Sequence, residues 1–217
     1  MKNEKKQTKE TAVALMLDAA RNVTIMDNAM KRKAQERPKG VEMWGKTLGI
    51  IGTGRIGQGV AKRCNGFNMK VIGYDIFEND SFKEECSGIY VDLKSLLQEA
   101  DFISVHSPLT PETANMISTE EFKLMKEDAV LVNTARGGII DEDALYKALK
   151  DGEIRGAALD ATLEEPPYES MLMKMPNCIL TPHAGAATKE AGNKMSYMAS
   201  ENAIEVLQGN NCRYEIS

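Results

Sequence analysis

Histidine is almost absent from this chain: two stand among 217 residues, His106 and His183, in separate segments. Cysteine is sparse as well, and Cys64, Cys86, Cys178 and Cys212 lie far apart with no CxxC pair. A zinc site needs such residues clustered, so no metal is expected. Scattered thiols fit a reducing compartment, and the expectation is a cytoplasmic protein. An excess of positive charge is missing too. The net charge is −5 and no basic cluster outweighs it, which argues against a nucleic-acid partner. No apolar run approaches a membrane span, so no membrane partner is expected. The N-terminus has only a faint likeness to a signal peptide. Lys2, Lys5 and Lys6 precede the apolar run Thr11 to Leu17, which Asp18 and Arg21 cut short.

What is present is ordinary in bulk and regular in pattern. Apolar residues make up 42% and charged residues 27%, the balance of a globular chain of one domain or one and a half. Ala12, Met16, Ala19, Val23, Met26 and Met30 follow steps of four and three, one apolar stripe on a helix. The stripe predicts a long amphipathic helix over about residues 8 to 34. A polar link, "KAQERPKGVEMWG", follows with Pro38 and Gly40 as breakers. From Lys46 on, short apolar runs alternate with helix-like segments. The strand candidates are "TLGII", "MKVIGYD", "IYV", "DFISVH", "AVLVNT", "RGAALD" and "CILT". Such alternation, with strands apolar on both faces, implies a doubly wound parallel sheet covered by helices on both sides. "STEE" at 118–121 has the form of a capping box, and Asp141 that of an N-cap. A last helix is predicted from about Thr188 to Leu207, with a polar tail after it.

The first strand runs into Gly52-Thr53-Gly54-Arg55-Ile56-Gly57, and a helix follows. A lone GxGxxG is weak, but strand before and helix after is the context that gives it meaning. Gly52 permits the tight turn, Gly54 lets the backbone approach a pyrophosphate, and Gly57 packs helix to strand. The helix N-terminus then offers free N–H groups and a positive dipole end. Asp75 ends the second strand 18 positions after Gly57, where an acidic residue would accept the adenosine ribose hydroxyls. Its charge would repel a 2′-phosphate, and Ile76 and Phe77 supply no arginine to hold one. The cofactor expected is NAD rather than NADP, on a Rossmann-type fold. The competing reading is a glycine turn in another α/β fold, with Asp75 a solvated strand end.

Three more polar residues stand at predicted strand ends: Arg136 after "VLVNTA", Glu165 in "LDATLEEP" and His183 in "LTPHAG". An arginine fork can clamp a carboxylate with two charge-assisted bonds. A histidine can carry a proton near neutral pH, and a nearby carboxylate can orient it and favour its charged form. The motifs "GKTLGIIGTGRIGQGVAKR", "VHSPLTPET", "LVNTARGGIIDEDAL", "GAALD", "EEPP" and "NCILTPHAGAATKEA" together resemble the D-isomer-specific 2-hydroxyacid dehydrogenases, nearest the phosphoglycerate and glycerate dehydrogenase branch. The likeness covers about residues 8 to 210.

The resemblance implies that Arg136 binds the substrate carboxylate and carbonyl, that His183 is the general acid-base, and that Glu165 is its partner. It implies that Arg55 and Ile56 line the pyrophosphate, that Asp75 holds the ribose and that Asp160 holds the nicotinamide carboxamide. His106, Ser107, Pro108, Thr134, Ala135, His183 and Gly185 would line the cofactor cleft. Glu164 stands beside Glu165, which is preferred because it directly precedes Pro166. Asp160 could instead be a helix cap, and Arg136 a surface residue. The reaction implied is hydride transfer between NAD(H) and a small 2-keto or 2-hydroxy acid. Residues 46–187 are expected to form the Rossmann NAD-binding domain, 1–45 a long helix and linker, and 188–217 a C-terminal helix and tail of the same domain.

Members of this family are usually longer and open with a separate substrate domain. This sequence opens near the helix that follows it, so the substrate domain is expected to be absent. That leaves a second class of function in play, a non-catalytic NAD(H)-binding sensor or interaction module, or an inactive fragment. A homodimer is expected, because the first helix carries more apolar surface than one domain covers easily, and the resemblance implies dimerisation through the cofactor domain.

Overall fold

The computed structural model of the chain describes residues 6–211; Lys2, Lys5, Cys212 and the rest of the polar tail lie outside the described residues. All seven strand candidates form strands: β1 Thr47–Ile51, β2 Lys70–Tyr74, β3 Ile89–Tyr90, β4 Phe102–Val105, β5 Val130–Asn133, β6 Gly156–Leu159 and β7 Cys178–Leu180. They join in one sheet of order β3-β2-β1-β4-β5-β6-β7, parallel at every pairing. The chain winds outward from β1 to β3, then returns to set β4 against the other side of β1. The carboxyl ends of β1 and β4 therefore carry their loops in opposite directions, which opens a crevice above them.

The strands inside the sheet are mostly apolar because they feed two cores. Leu48 and Ile50 of β1, Phe102 of β4, Val130 and Val132 of β5 and Ala158 of β6 point to one side. There they meet Ala12, Leu15, Met16 and Ala20 of α1 (Lys6–Arg21), Val60 and Ala61 of α3 (Arg55–Cys64) and Phe82 of α4 (Asp80–Cys86). The alternate residues Ile51, Ile103, Val105, Leu131 and Leu159 point to the other side. They meet Leu96 and Leu97 of α5 (Leu93–Glu99), Phe122 of α6 (Thr119–Leu124) and Leu145 and Leu149 of α7 (Glu142–Asp151). This is the period-two alternation of a strand with both faces buried.

The N-terminal segment differs from the single helix expected over 8–34. It forms α1 and a second helix, α2 (Val23–Lys31), broken at Asn22, which takes a left-handed conformation at φ 56°. Asn tolerates that region better than most residues. The Asp18 carboxylate drives the break by accepting the Thr24 backbone N–H at 2.8 Å and the Thr24 hydroxyl as well. The break also splits the apolar stripe, so Val23 and Met30 are exposed while Ala12 and Met16 are buried. A last helix, α8 (Lys189–Leu207), starts where expected, with the Thr188 hydroxyl accepting the Ala191 N–H at 3.1 Å.

Two helix starts are tied to one another. Ser118 donates its N–H to Glu121 Oε2 at 3.1 Å, and its hydroxyl to Asp141 Oδ2 at 2.8 Å. Asp141 in turn caps α7 by accepting the Ala144 N–H at 3.0 Å. That backbone bond holds the Asp141 carboxyl below its ordinary pKa of 3.8, with the Ser118 hydroxyl helping and partial burial opposing. A carboxyl depressed on folding stabilises the fold above its unfolded pKa and stops doing so as pH falls through its folded one. Asp141→Ala is expected to cost about 1 kcal/mol at neutral pH in urea denaturation. The gap between variant and parent should begin to close only below pH 3.8.

Candidate active site

The residues singled out in the sequence gather at the carboxyl ends of the strands, on the loops that follow them and, for Arg55, Ile56 and Gly57, in the first turn of α3. After β1, Gly52 takes φ +93°, and a Cβ there would stand 2.6 Å from the carbonyl carbon of His106. A Cβ on Gly57 would stand 2.2 Å from the Gly52 carbonyl oxygen. Those two glycines are demanded by the protein itself. Gly54 is not. Its backbone is ordinary, at φ −68° and ψ −167°, and a Cβ there meets nothing within 4 Å beyond its chain neighbours. The space above Gly54 is open at the N-terminus of α3, whose first turn has no acidic residue and whose N-cap has no side-chain bond. Unengaged N–H groups, a positive helix end and an open approach suit a pyrophosphate.

Asp75 follows β2 and is bound to this loop. Its Oδ2 accepts the Thr53 N–H at 2.7 Å and the Thr53 hydroxyl at 3.1 Å. After β5, Asn133 shapes the next turn. Its Oδ1 accepts the Ala135 N–H at 2.9 Å, and its Nδ2 donates to the Arg136 carbonyl at 2.8 Å. Arg136 stands out of this turn, exposed, with one guanidinium nitrogen donating to the Ala135 carbonyl at 2.6 Å. The rest of its fork remains for an anionic ligand.

After β6 comes Asp160, buried and saturated with donors. Oδ1 accepts the Thr181 hydroxyl at 2.6 Å and the Ala184 N–H at 2.8 Å, and Oδ2 accepts the Gly185 N–H at 2.8 Å. These bonds fold the turn after β7 around His183, which is left-handed at φ 51°. His183 Nδ1 lies 2.8 Å and 3.0 Å from the two carboxylate oxygens of Glu165. The carboxylate makes Nδ1 the donor, so Nε2 is left to exchange a proton with a ligand. Of the adjacent pair, Glu165 and not Glu164 meets the imidazole.

The other histidine has the opposite environment. His106 Nε2 lies 2.8 Å from the Ser104 hydroxyl, while Nδ1 is sealed from solvent without a partner. Burial pushes its pKa down to about 3, so the ring is neutral at any physiological pH. It is wall rather than proton carrier.

Ile56, His106, Ser107, Pro108, Thr134, Ala135, Arg136, Asp160, His183 and Gly185 all line one cleft of about 700 Å³. Gly52 and Gly54 belong to the loop after β1, Arg55 and Gly57 to the first turn of α3 and Asp75 to the loop after β2, and Glu165 joins through His183. Thr134 brings a buried hydroxyl with no hydrogen-bond partner among the described residues, a donor and acceptor open to something in the cleft. Sequence reasoning missed Thr8 of α1, Leu109 and Ala186, which complete the lining, and Asn133 and Thr181, which hold the turns. An Asn at a strand end in "VNTARG" was the available signal, because Asn shapes turns through its side chain. Thr8 carried none, since only the tertiary fold brings α1 to the cleft. Among the described residues no cluster of His, Cys, Asp and Glu could hold a metal.

A family model for the D-isomer specific 2-hydroxyacid dehydrogenase NAD binding domain matches residues 13–185. The chain is 47% identical over 203 residues to the D-3-phosphoglycerate dehydrogenase of Methanocaldococcus jannaschii, covering 92% of this chain and 39% of that protein. It is 44% identical over 211 residues to the glyoxylate reductase of Thermococcus litoralis, covering 93% of this chain and 64% of that one. The chain thus spans less than two thirds of either relative. The crystal structure of the Lactobacillus jensenii D-lactate dehydrogenase with NAD+ superposes at a TM-score of 0.86 with 32% identity, over 97% of this chain and 68% of that one.

Asp160→Asn should test what shapes the His183 turn. The amide keeps the size, but whichever way it turns its N–H₂ faces a backbone N–H, that of Ala184 or of Gly185, which can only donate. A loss of about 1–3 kcal/mol is expected in urea denaturation. With two histidines in the chain, proton NMR can follow each ring. The His183 signals should shift or broaden while those of enclosed His106 stay in place.

Proposed function

The chain belongs to the D-isomer-specific 2-hydroxyacid dehydrogenases, as their NAD-binding domain, and we propose that it carries the chemistry of hydride transfer between NAD(H) and a small 2-keto or 2-hydroxy acid. The observation that carries this reading is convergence. Arg136 with its guanidinium fork, the His183 imidazole with Nε2 unengaged, and Ile56 of the glycine motif all line one cleft, and the open backbone at Gly54 stands two residues before Ile56.

Bound NAD supplies the hydride donor or acceptor. Gly52, Gly54, Arg55, Ile56 and Gly57 would hold its pyrophosphate, and Asp75 its adenosine ribose. Thr134, Ala135, Asp160, Gly185 and the wall at His106, Ser107 and Pro108 would hold its nicotinamide end. Arg136 clamps the substrate carboxylate through two parallel N–H bonds and leaves its carbonyl against His183. His183, as imidazolium, gives its Nε2 proton to the carbonyl oxygen in reduction, and takes the hydroxyl proton back in oxidation. Glu165 fixes the ring through Nδ1 and offsets the imidazolium charge.

A second reading has one fact in its favour. Because the chain spans less than two thirds of its relatives' length, binding NAD(H) without turnover, as a sensor or interaction module, also fits. In either case we take residues 46–187 as the cofactor domain, 1–45 as its leading helices and linker, and 188–217 as its closing helix and tail. The buried reduced thiols of Cys64 and Cys86 support a cytoplasmic location. No helix among the described residues is long and apolar enough to cross a membrane. Exposed Val23, Met30, Met195, Ile204, Val206 and Leu207 support a homodimer. Light scattering should return a dimer mass; a monomer mass contradicts it.

Two substitutions test the site. Gly54→Ala should leave urea stability within about 0.5 kcal/mol, since the methyl meets no protein atom. It should weaken NADH binding by about tenfold or more, because the methyl stands where the pyrophosphate approaches. The chain mixed with NADH and hydroxypyruvate, phosphohydroxypyruvate or glyoxylate should consume NADH. His183→Ala should slow that by about 10² to 10⁴. Undiminished turnover in His183→Ala would sink the assignment, and NADH binding with no turnover of any acid by the parent would favour the second reading.

A further inference from the structure

One phenol holds both ends of the segment that would cradle the adenosine. The Tyr90 hydroxyl, on edge strand β3, accepts the Asn79 backbone N–H at 2.8 Å and lies 2.6 Å from Thr53 Oγ1. Asn79 caps α4, just past Asp75, and Thr53 lies inside the glycine loop, 1% exposed. The direction of each bond follows from the chemistry. A backbone N–H can only donate, so the Tyr90 oxygen accepts there and has its own hydrogen for Thr53. Thr53 accepts that hydrogen and has its own for Asp75 Oδ2, where the Thr53 N–H also arrives. The chain therefore runs one way, Tyr90 to Thr53 to Asp75. Among the described residues Oδ1 of Asp75 takes no protein donor, which leaves it for a ribose diol.

The phenol is itself held. Its ring packs tilted on Phe82 at 5.1 Å between centroids, and the Lys83 ammonium lies 5.5 Å from its centre. We propose that Tyr90 and Thr53 are positioning residues that set cofactor choice, by pinning the Asp75 carboxylate where a 2′-phosphate would have to enter. A free carboxylate could turn aside and admit the phosphate. A pinned one meets it with fixed negative charge, and neighbouring Ile76 and Phe77 offer no cation in return. The proposal rests on the NAD-binding reading above.

The test is calorimetric titration of the purified chain with NADH and with NADPH. The parent should bind NADH in preference. In Tyr90→Phe and in Thr53→Val the ratio of the NADPH to the NADH dissociation constant should fall by about threefold to tenfold, the size of one lost hydrogen bond. NADH should weaken while NADPH holds or tightens. Thr53→Ser keeps the hydroxyl and should keep the parent's ratio. Thermal melts report whether each variant folds, and Thr53→Val carries the test if Tyr90→Phe does not. Equal weakening of both cofactors means a merely structural role and overturns the proposal. A parent that binds both alike overturns it too, and a parent that binds neither overturns the NAD reading itself.

Discussion

The site depends most on one buried carboxylate. Asp160 sits at the end of β6 with a hydroxyl and two backbone N–H groups aimed at it, all from the turn after β7. A buried carboxylate survives only when donors replace the water it has lost. Here those donors belong to the residues on either side of His183, so satisfying the charge also sets the turn. The left-handed backbone of His183 is a cost that these bonds sustain. The resemblance suggested a nicotinamide-binding role for Asp160; what the structure shows is that this carboxylate braces the imidazole's own loop.

Similar devices recur along the crevice. Asn133 folds the turn that presents Arg136, and Asp75 draws in the glycine loop through Thr53. In each case a polar side chain at a strand end bonds to the backbone of a loop, further on for Asn133 and earlier in the chain for Asp75, so a rigid sheet dictates the course of that loop. The two histidines show what such placement decides. One has a carboxylate on Nδ1 and solvent access, and the other is half-buried, with Nδ1 shut off from solvent, and held neutral. Identical side chains are thus given different chemical reach, one imidazole open at Nε2 and the other held neutral, through their surroundings alone.

Much of this was legible in the sequence. The strands could be found because their runs are apolar on both faces. The glycine loop could be read because its spacing and its flanking elements agree. The break at Asn22 could not. Ala19, Val23, Met26 and Met30 keep helical spacing straight through it, and periodicity is blind to a single left-handed residue. The pairing of Glu165 rather than Glu164 with His183 was preferred from the following proline, but only the fold brings the two side chains together. Tyr90 gave no signal either. It lies on a two-residue strand, and its partners are 37 residues upstream and 11 residues upstream.

The division of the inner strands between two cores has a consequence for how the protein can change. Phe102 and Phe122 lie on opposite sides of the sheet and share no cluster. Side chains on the two faces touch only through the backbone between them. Repacking one layer should leave the other unmoved, and substitutions drawn from different layers should combine additively. The sheet acts as a partition: an evolving sequence can rebuild the α5–α6–α7 layer while the α1–α3–α4 layer, which carries Thr8 and Ile56 to the cleft, stays in place.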